Sequence, residues 1–219
     1  MAEKQTLQID VISDVMCPWC YIGKTNLDAA IAQMKDLEVE VRWRPYQLDG
    51  TLPKEGMSRA DYLNNKFGGE AGAKEVYGRI EEAGKALGID FNFSAMKVSP
   101  NTMDAHRVIR WAGGQSAETQ NKLVERLFEL FFLEGGHIGL DEVLVKAAQE
   151  AGMDAKIVDD LLKTENDKPE VAAEIDQARQ MGVTGVPCFI VDNKFAVMGA
   201  QPVEQLVAAM EHALNERDK

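Results

Sequence analysis

Leu7-Gln8-Ile9-Asp10-Val11-Ile12-Ser13 leads, three residues on, into Cys17-Pro18-Trp19-Cys20, and a helical pattern follows over residues 19–35. The first seven residues, rich in apolar and β-branched side chains, predict a strand. Cysteines three apart at a helix start share one helical face, so their sulfurs lie near enough to bond to each other. Pro18 suits the first helical position, where a missing N–H costs little. Cys17 is then the N-terminal, more exposed sulfur, facing unpaired amides and the positive end of the helix dipole, which favour thiolate over thiol. Cys20 lies one turn deeper, covered by the helix and by Trp19, and is placed to attack a mixed disulfide formed on Cys17.

Three other readings of the pair stay open at this point: half of a zinc site, a structural disulfide, and two unrelated buried cysteines. Zinc needs further ligands, and His106, His137, Cys188 and His212 are scattered singly rather than forming a second close pair. No metal is therefore expected. A four-residue disulfide loop removes little chain entropy and exchanges readily. The strand before, the proline within and the helix after speak against coincidence.

Outward from the motif, Leu37-Glu38-Val39-Glu40-Val41-Arg42-Trp43-Arg44 alternates apolar and charged residues, the period of a strand with one buried face, and Pro45 stops it. Strand, helix and strand make a βαβ unit, parallel and right-handed. From residue 49 to 164 the pattern is helical, with helices expected over 58–67, 71–87, 99–112, 119–133, 141–151 and 154–163 and an irregular connection over 89–98. Ser99 is read as the cap of the third, with Pro100 in its first turn and Gly113-Gly114 ending it. Leu123, Val124, Leu127, Phe128, Leu130 and Phe131 form an apolar stripe on the fourth, read as core. A helix over 170–181, a strand over 186–191, a hairpin strand over 195–198 and a helix over 202–215 complete an α/β chain that reads βαβ, helices, αββα.

At 219 residues, 45% hydrophobic and 27% charged, the chain can bury a substantial core. A formal charge of -12 without a lysine or arginine cluster argues against nucleic-acid and membrane-surface partners. The polar opening Met1-Ala2-Glu3-Lys4-Gln5-Thr6 lacks the regions of a secretory signal, and no apolar run is long enough to span a bilayer. The expected location is cytoplasmic, where a Cys-x-x-Cys near a βαβ pattern reads as redox-active.

With Cys17-Pro18-Trp19-Cys20 near its start and Gly182-Val183-Thr184-Gly185-Val186-Pro187 near its end, the sequence resembles the DsbA-like branch of the thioredoxin superfamily. Within it the likeness is greatest to FrnE-type cytoplasmic disulfide oxidoreductases. Ser13-Asp14, Tyr21-Ile22-Gly23-Lys24, Asn101-Thr102, Ala105-His106-Arg107, Glu134-Gly135 and His137-Ile138 carry it along nearly the whole chain. The resemblance implies a thioredoxin-like domain of residues 1–48 and 165–219 with a helical insertion domain of residues 49–164 roofing the site. It also implies a cis Val186-Pro187 bond lying against the cysteines. Carried over, Cys17 is the nucleophile and Cys20 the resolving thiol. Pro187 keeps the strand edge open and leaves the Val186 backbone to hold an extended thiol substrate.

Where the DsbA protein has histidine, this motif has Trp19, which offers no charge or imidazole hydrogen bond, so a less oxidising couple is expected. The same branch includes kappa-class glutathione transferases and 2-hydroxychromene-2-carboxylate isomerases. These make a glutathione-dependent transferase or isomerase the alternative function. The expectation is a thiol-disulfide oxidoreductase with no bound cofactor, glutathione as a redox partner, thiol or disulfide substrates, and a monomeric or homodimeric state.

Pro18, Trp19, Val186, His106 and Asn101 are the substrate-binding candidates. His106 is read as lining the cleft opposite the cysteines, against a partly buried helix histidine. Asn101, at a helix start, is more often a capping residue and is carried as a substrate contact on the resemblance. Trp111 is read as core beside Val108, and Cys188 as an inert thiol pointing away from the site. Lys24 and Asp14 are read as surface or structural.

Overall fold

The computed structural model describes residues 5–217, with the backbone alone at Glu70; Met1 to Lys4 and the last two residues, to which the expected bounds 1 and 219 extend, lie outside the described residues. β1 (Gln5–Ser13), α1 (Pro18–Gln33) and β2 (Leu37–Pro45) form the expected parallel βαβ unit, with Ile9 opposite Val41 and Val11 opposite Trp43. Val41 and Trp43 are buried on β2 while the intervening charged residues face outward, as the alternation requires.

The chain then builds β3 (Met57–Ser58), α2 (Arg59–Phe67), α3 (Glu70–Ala86), β4 (Val98–Ser99), α4 (Met103–Gln115), α5 (Ala117–Phe132), α6 (Asp141–Glu150) and α7 (Ala155–Leu162). After these come α8 (Lys168–Gln180), β5 (Cys188–Val191), β6 (Phe195–Met198) and α9 (Val203–Asn215). The main sheet has the order β2-β1-β5-β6, with β5 antiparallel to β1 and β6 antiparallel to β5. The order and strand directions are those the resemblance implies, βαβ and ββα halves meeting in one mixed sheet.

Three expectations about the middle region are corrected. It is not all-helical, because β3 and β4 pair antiparallel, Met57 with Ser99 and Ser58 with Val98. The helix expected to open on Ser99-Pro100 begins at Met103, since Ser99 is held in that pair and the Asn101 carboxamide oxygen accepts the Met103 N–H at 2.9 Å. Gly113-Gly114 lies within α4 rather than ending it.

One apolar cluster joins sheet and helices: Leu7 and Val11 of β1, Leu27 of α1, Leu123 and Phe128 of α5 and Leu144 of α6. Tyr21 of α1 stacks on Phe128 with centroids 5.1 Å apart, so the helix that carries the cysteines is clamped to α5. A smaller cluster on the opposite face of β1 gathers Ile12, Tyr46, Ala178, Val183 and Cys188.

Candidate active site

β1 ends at Ser13, and the Cys17 N–H donates to the Asp14 carbonyl at 2.9 Å, turning the chain into α1. Cys17 is the N-cap residue and Pro18 the first helical residue, and Cys20 N donates to the Cys17 carbonyl at 3.0 Å. All three cysteines are free thiols. Cys17 is 4% exposed and Cys20 1%, so both are enclosed, Cys20 the more completely. Trp19, at 38% exposed, stands partly on the surface and flanks the opening beside Cys17. Burial pushes the Cys20 thiol well above the usual thiol range and the neighbouring Cys17 thiol pushes it further, while the Ser13 hydroxyl and the Asp14 backbone pull the other way.

The far end of the chain completes the site. The Val186-Pro187 bond is cis. The Cys17 thiol donates to the Val186 carbonyl at 3.7 Å. Gly199 N donates to the Pro187 carbonyl at 2.8 Å, tying this loop to the β6 end. Gly23, one turn past Cys20, lets α1 sit against Pro187, because a Cβ there would lie 2.7 Å from Pro187 Cγ. Val186 and Pro187 precede β5, which begins at Cys188 rather than at 186.

Beside Cys17 opens a cavity of about 250 Å³, bounded by Pro18, Trp19 and Val186 on one side and by α2 and α3 on the other. Its wall is apolar except for Arg59, Lys66, Tyr62 and Tyr77. Arg59 donates to Ser99 Oγ at 3.1 Å and to the Tyr77 hydroxyl, and Lys66 donates to the Tyr62 hydroxyl at 2.8 Å. Among the described residues neither cation has a carboxylate within ion-pair distance. The sequence reading missed this group. Its signal was the spacing 59, 62 and 66 on one face of α2.

Other candidates stand apart from Cys17. His106 does not line this cavity. It is 3% exposed, its Nε2 is 3.4 Å from Asp14 Oδ1, and it faces a different recess, because α4 starts three residues later than expected and packs beside β2. Asn101 precedes Thr102, the N-cap of α4; its carboxamide accepts from Met103 N and Gln47 Nε2 and donates to the Leu52 carbonyl. Asp14 is fully buried and accepts from Leu48 N at 2.8 Å.

Lys24 is not a solvated surface lysine. It is 7% exposed and paired with Asp28 at 2.7 Å and with Glu125, and these carboxylates outweigh burial to raise its pKa. Trp111 is half-buried, donating to Asp167 at 2.8 Å under the Arg107 guanidinium. Cys188 is completely buried in the small cluster behind β1. Among the described residues no three His, Cys, Asp or Glu side chains come together as a metal-holding group, and no helix is long and apolar enough to cross a membrane.

The DSBA-like thioredoxin domain matches residues 8–211. The chain is similar to the crystal structure of a probable DsbA oxidoreductase from Streptomyces coelicolor, SCO1869, with 29% identity, a TM-score of 0.85 and coverage of 96% of this chain and 91% of that one. It is 28% identical to the uncharacterized protein YwbO of Bacillus subtilis over 86% of this chain and 88% of that protein. At 16% identity it shares the fold of the cytosolic disulfide reductase DsbM of Pseudomonas aeruginosa, solved with GSH, with a TM-score of 0.64 over 95% of this chain and 99% of that one.

Proposed function

We propose that this chain, which belongs to the DSBA-like thioredoxin family, is a thiol-disulfide oxidoreductase of the FrnE type that cycles Cys17 and Cys20 between dithiol and disulfide. The observation that carries this reading is the depth difference within the pair. Cys17 caps α1 at the cavity mouth with Val186 opposite, whereas Cys20 is sealed behind it and held protonated by burial.

In the reductive direction the Cys17 thiolate attacks a substrate disulfide, one substrate sulfur leaves as thiolate and takes a proton, and the other stays bonded to Cys17. Cys20 then loses its proton and attacks Cys17 Sγ, the second substrate thiolate departs, and the Cys17–Cys20 disulfide remains. Two external thiols reduce it again and leave joined as a disulfide. The reverse sequence oxidises a dithiol substrate. Pro187 packs against Gly23, one turn past Cys20, and in this reading the Val186 carbonyl accepts an N–H from an extended substrate once Cys17 has lost its own proton.

The cavity beside Cys17 suits a small thiol compound that carries a carboxylate. Arg59 and Lys66 are cations without carboxylate partners among the described residues in a chain of net charge -12. Glutathione fits that description as substrate or as reductant, with no cofactor bound. The reducing cytoplasm is the matching compartment for an exchangeable Cys-x-x-Cys pair.

The test is turnover of glutathione disulfide and of a disulfide-bonded peptide by the protein and two variants. Cys17→Ser should abolish activity, and Cys20→Ser should accumulate a mixed disulfide on Cys17 visible by mass. Full activity in Cys17→Ser contradicts the reading.

A further inference from the structure

Arg59 is buried and charged, yet among the described residues it has no carboxylate within ion-pair distance. Taking a guanidinium out of water is costly unless an anion or a full set of acceptors replaces its hydration. It gives one N–H to Ser99 Oγ at 3.1 Å and one to the Tyr77 hydroxyl, both neutral groups. Burial raises the Tyr77 hydroxyl above its ordinary range by more than Arg59 lowers it, so the phenol keeps its proton and is not the missing counter-ion. The remaining N–H donors of the guanidinium have no acceptor among the described residues, and the side chain lines the cavity beside Cys17.

The charge is held in place. The Arg59 backbone N–H donates to the Lys97 carbonyl at 2.8 Å, and the guanidinium carbon lies 5.0 Å from the Tyr77 ring centre and 5.6 Å from that of Tyr62. Ser99, its hydroxyl acceptor, is fixed by the β3–β4 pair, which ends one residue before Arg59. Gly56, at φ +78, lets that pair close, because a Cβ there would lie 2.7 Å from the Ser99 carbonyl oxygen. The two-residue strands thus determine where Arg59 sits.

Trp19, Phe67, Val76 and Ile80 face the same space as the two tyrosine rings. At about 250 Å³ the cavity is smaller than the roughly 300–1,000 Å³ that hold drug-sized ligands. Lys66, its other cation, is exposed and bonded to Tyr62. An apolar wall with one buried guanidinium that lacks an anion is complementary to a small apolar body with one carboxylate.

We propose that this cavity binds a small apolar monocarboxylate that carries no sulfur, its carboxylate on Arg59 and its body against Trp19, Phe67 and Tyr77, and that the occupant closes Cys17 to disulfides. No covalent bond is made or broken; the ligand supplies the counter-ion that the folded chain lacks. The site goes beyond the disulfide chemistry proposed above, because binding needs neither thiol to react.

The experiment is calorimetric titration of the reduced protein with naphthoate, with octanoate and with the amide of each, together with the rate at which iodoacetamide alkylates Cys17, located by mass. The acids should bind saturably and slow the alkylation, and the amides, which match them in shape without the charge, should bind about tenfold more weakly or not at all. Whichever acid binds more tightly assigns the wall to a ring or to a chain. Arg59→Met should remove the preference for acid over amide, and Arg59→Lys, a cation without the planar fork, should restore part of it. The comparison of acid with amide uses the unaltered protein and needs no variant to fold. Acids and amides that bind alike, no binding by either acid, or an acid preference that survives in Arg59→Met overturns the site, and binding that leaves the alkylation rate unchanged overturns the closure of Cys17. Titration reads binding alone, so a failure of disulfide turnover would leave a positive result standing.

Discussion

The Cys17 sulfur and the Val186 carbonyl oxygen, 169 residues apart in sequence, meet at 3.7 Å across the mouth of the cavity. In the proposed function the thiol occupies the acceptor that an extended substrate uses. Attack removes the thiol proton and frees the carbonyl in the same event, so substrate main chain and substrate sulfur can be held at one place. The position of α1 against the Val186-Pro187 loop is therefore the relationship on which the proposed activity depends.

Gly23 sets that position. A methyl group there would meet Pro187 Cγ at 2.7 Å and Phe189 Cζ at 3.1 Å, both parts of packed side chains. Gly23→Ala should lower stability by about 1–3 kcal/mol through overpacking and lower turnover more than tenfold by moving Cys17 away from Val186. Chemical denaturation together with disulfide turnover checks both, and wild-type turnover in this variant would contradict the close-packing account.

Lys66 lies across the cavity from Cys17 and bonds to an uncharged hydroxyl. Lys66→Met should raise KM for glutathione disulfide about tenfold, the worth of one charged contact of about 1.4 kcal/mol, and leave KM for the uncharged hydroxyethyl disulfide unchanged. Equal effects on the two disulfides would show that Lys66 does not read substrate charge.

Cys188 is completely buried among apolar side chains, and that burial raises its thiol above the ordinary 9.0. Because the folded pKa exceeds the unfolded one, the stability linked to this group is full below pH 9.0 and is lost as pH rises through the raised value. Cys188→Ala should leave turnover unchanged and lower stability near neutrality by about 1 kcal/mol from lost packing. The gap to the unaltered protein should narrow above pH 9.0. Denaturant titrations on both sides of that pH measure it.

Asp167 joins α4 to the start of α8. It accepts from Trp111 Nε1 at 2.8 Å and from Arg110 at 3.1 Å, and the Trp111 bond leads in holding its carboxyl below the ordinary 3.8. A folded pKa below the unfolded one gives stability that is present above pH 3.8 and lost as pH falls through the folded value. Asp167→Asn keeps the backbone at φ +63, which asparagine tolerates. It should cost about 1 kcal/mol near neutrality, with the difference vanishing in acid. A difference that persisted in acid would assign the loss to geometry rather than charge.

The strand, the motif and its helix were legible in the sequence because each is fixed by neighbours a few residues away. The apolar stripe of α5 was legible for the same reason, its spacing being the helix's own. What escaped the reading depends on distant partners. Two-residue strands such as β3 and β4 have no period to detect. Gly113 reads as a helix end yet lies inside α4, where the Gln120 amide packs so close that a Cβ would meet it at 2.6 Å. Lys24 reads as solvated until Glu125 of α5 arrives beside it. His106 and Asp14 could each be weighed alone, but their approach to 3.4 Å belongs to the packing of α4 on the β1 end.

The most direct test is an equilibrium titration of the protein in glutathione redox buffers, with free thiols counted and the bond mapped by mass. The account predicts a reversible couple in which Cys17 and Cys20 each lose a hydrogen and bond to each other while Cys188 stays a thiol. A protein that forms no Cys17–Cys20 disulfide at any buffer composition, or one in which Cys188 takes part in the bond, would contradict it.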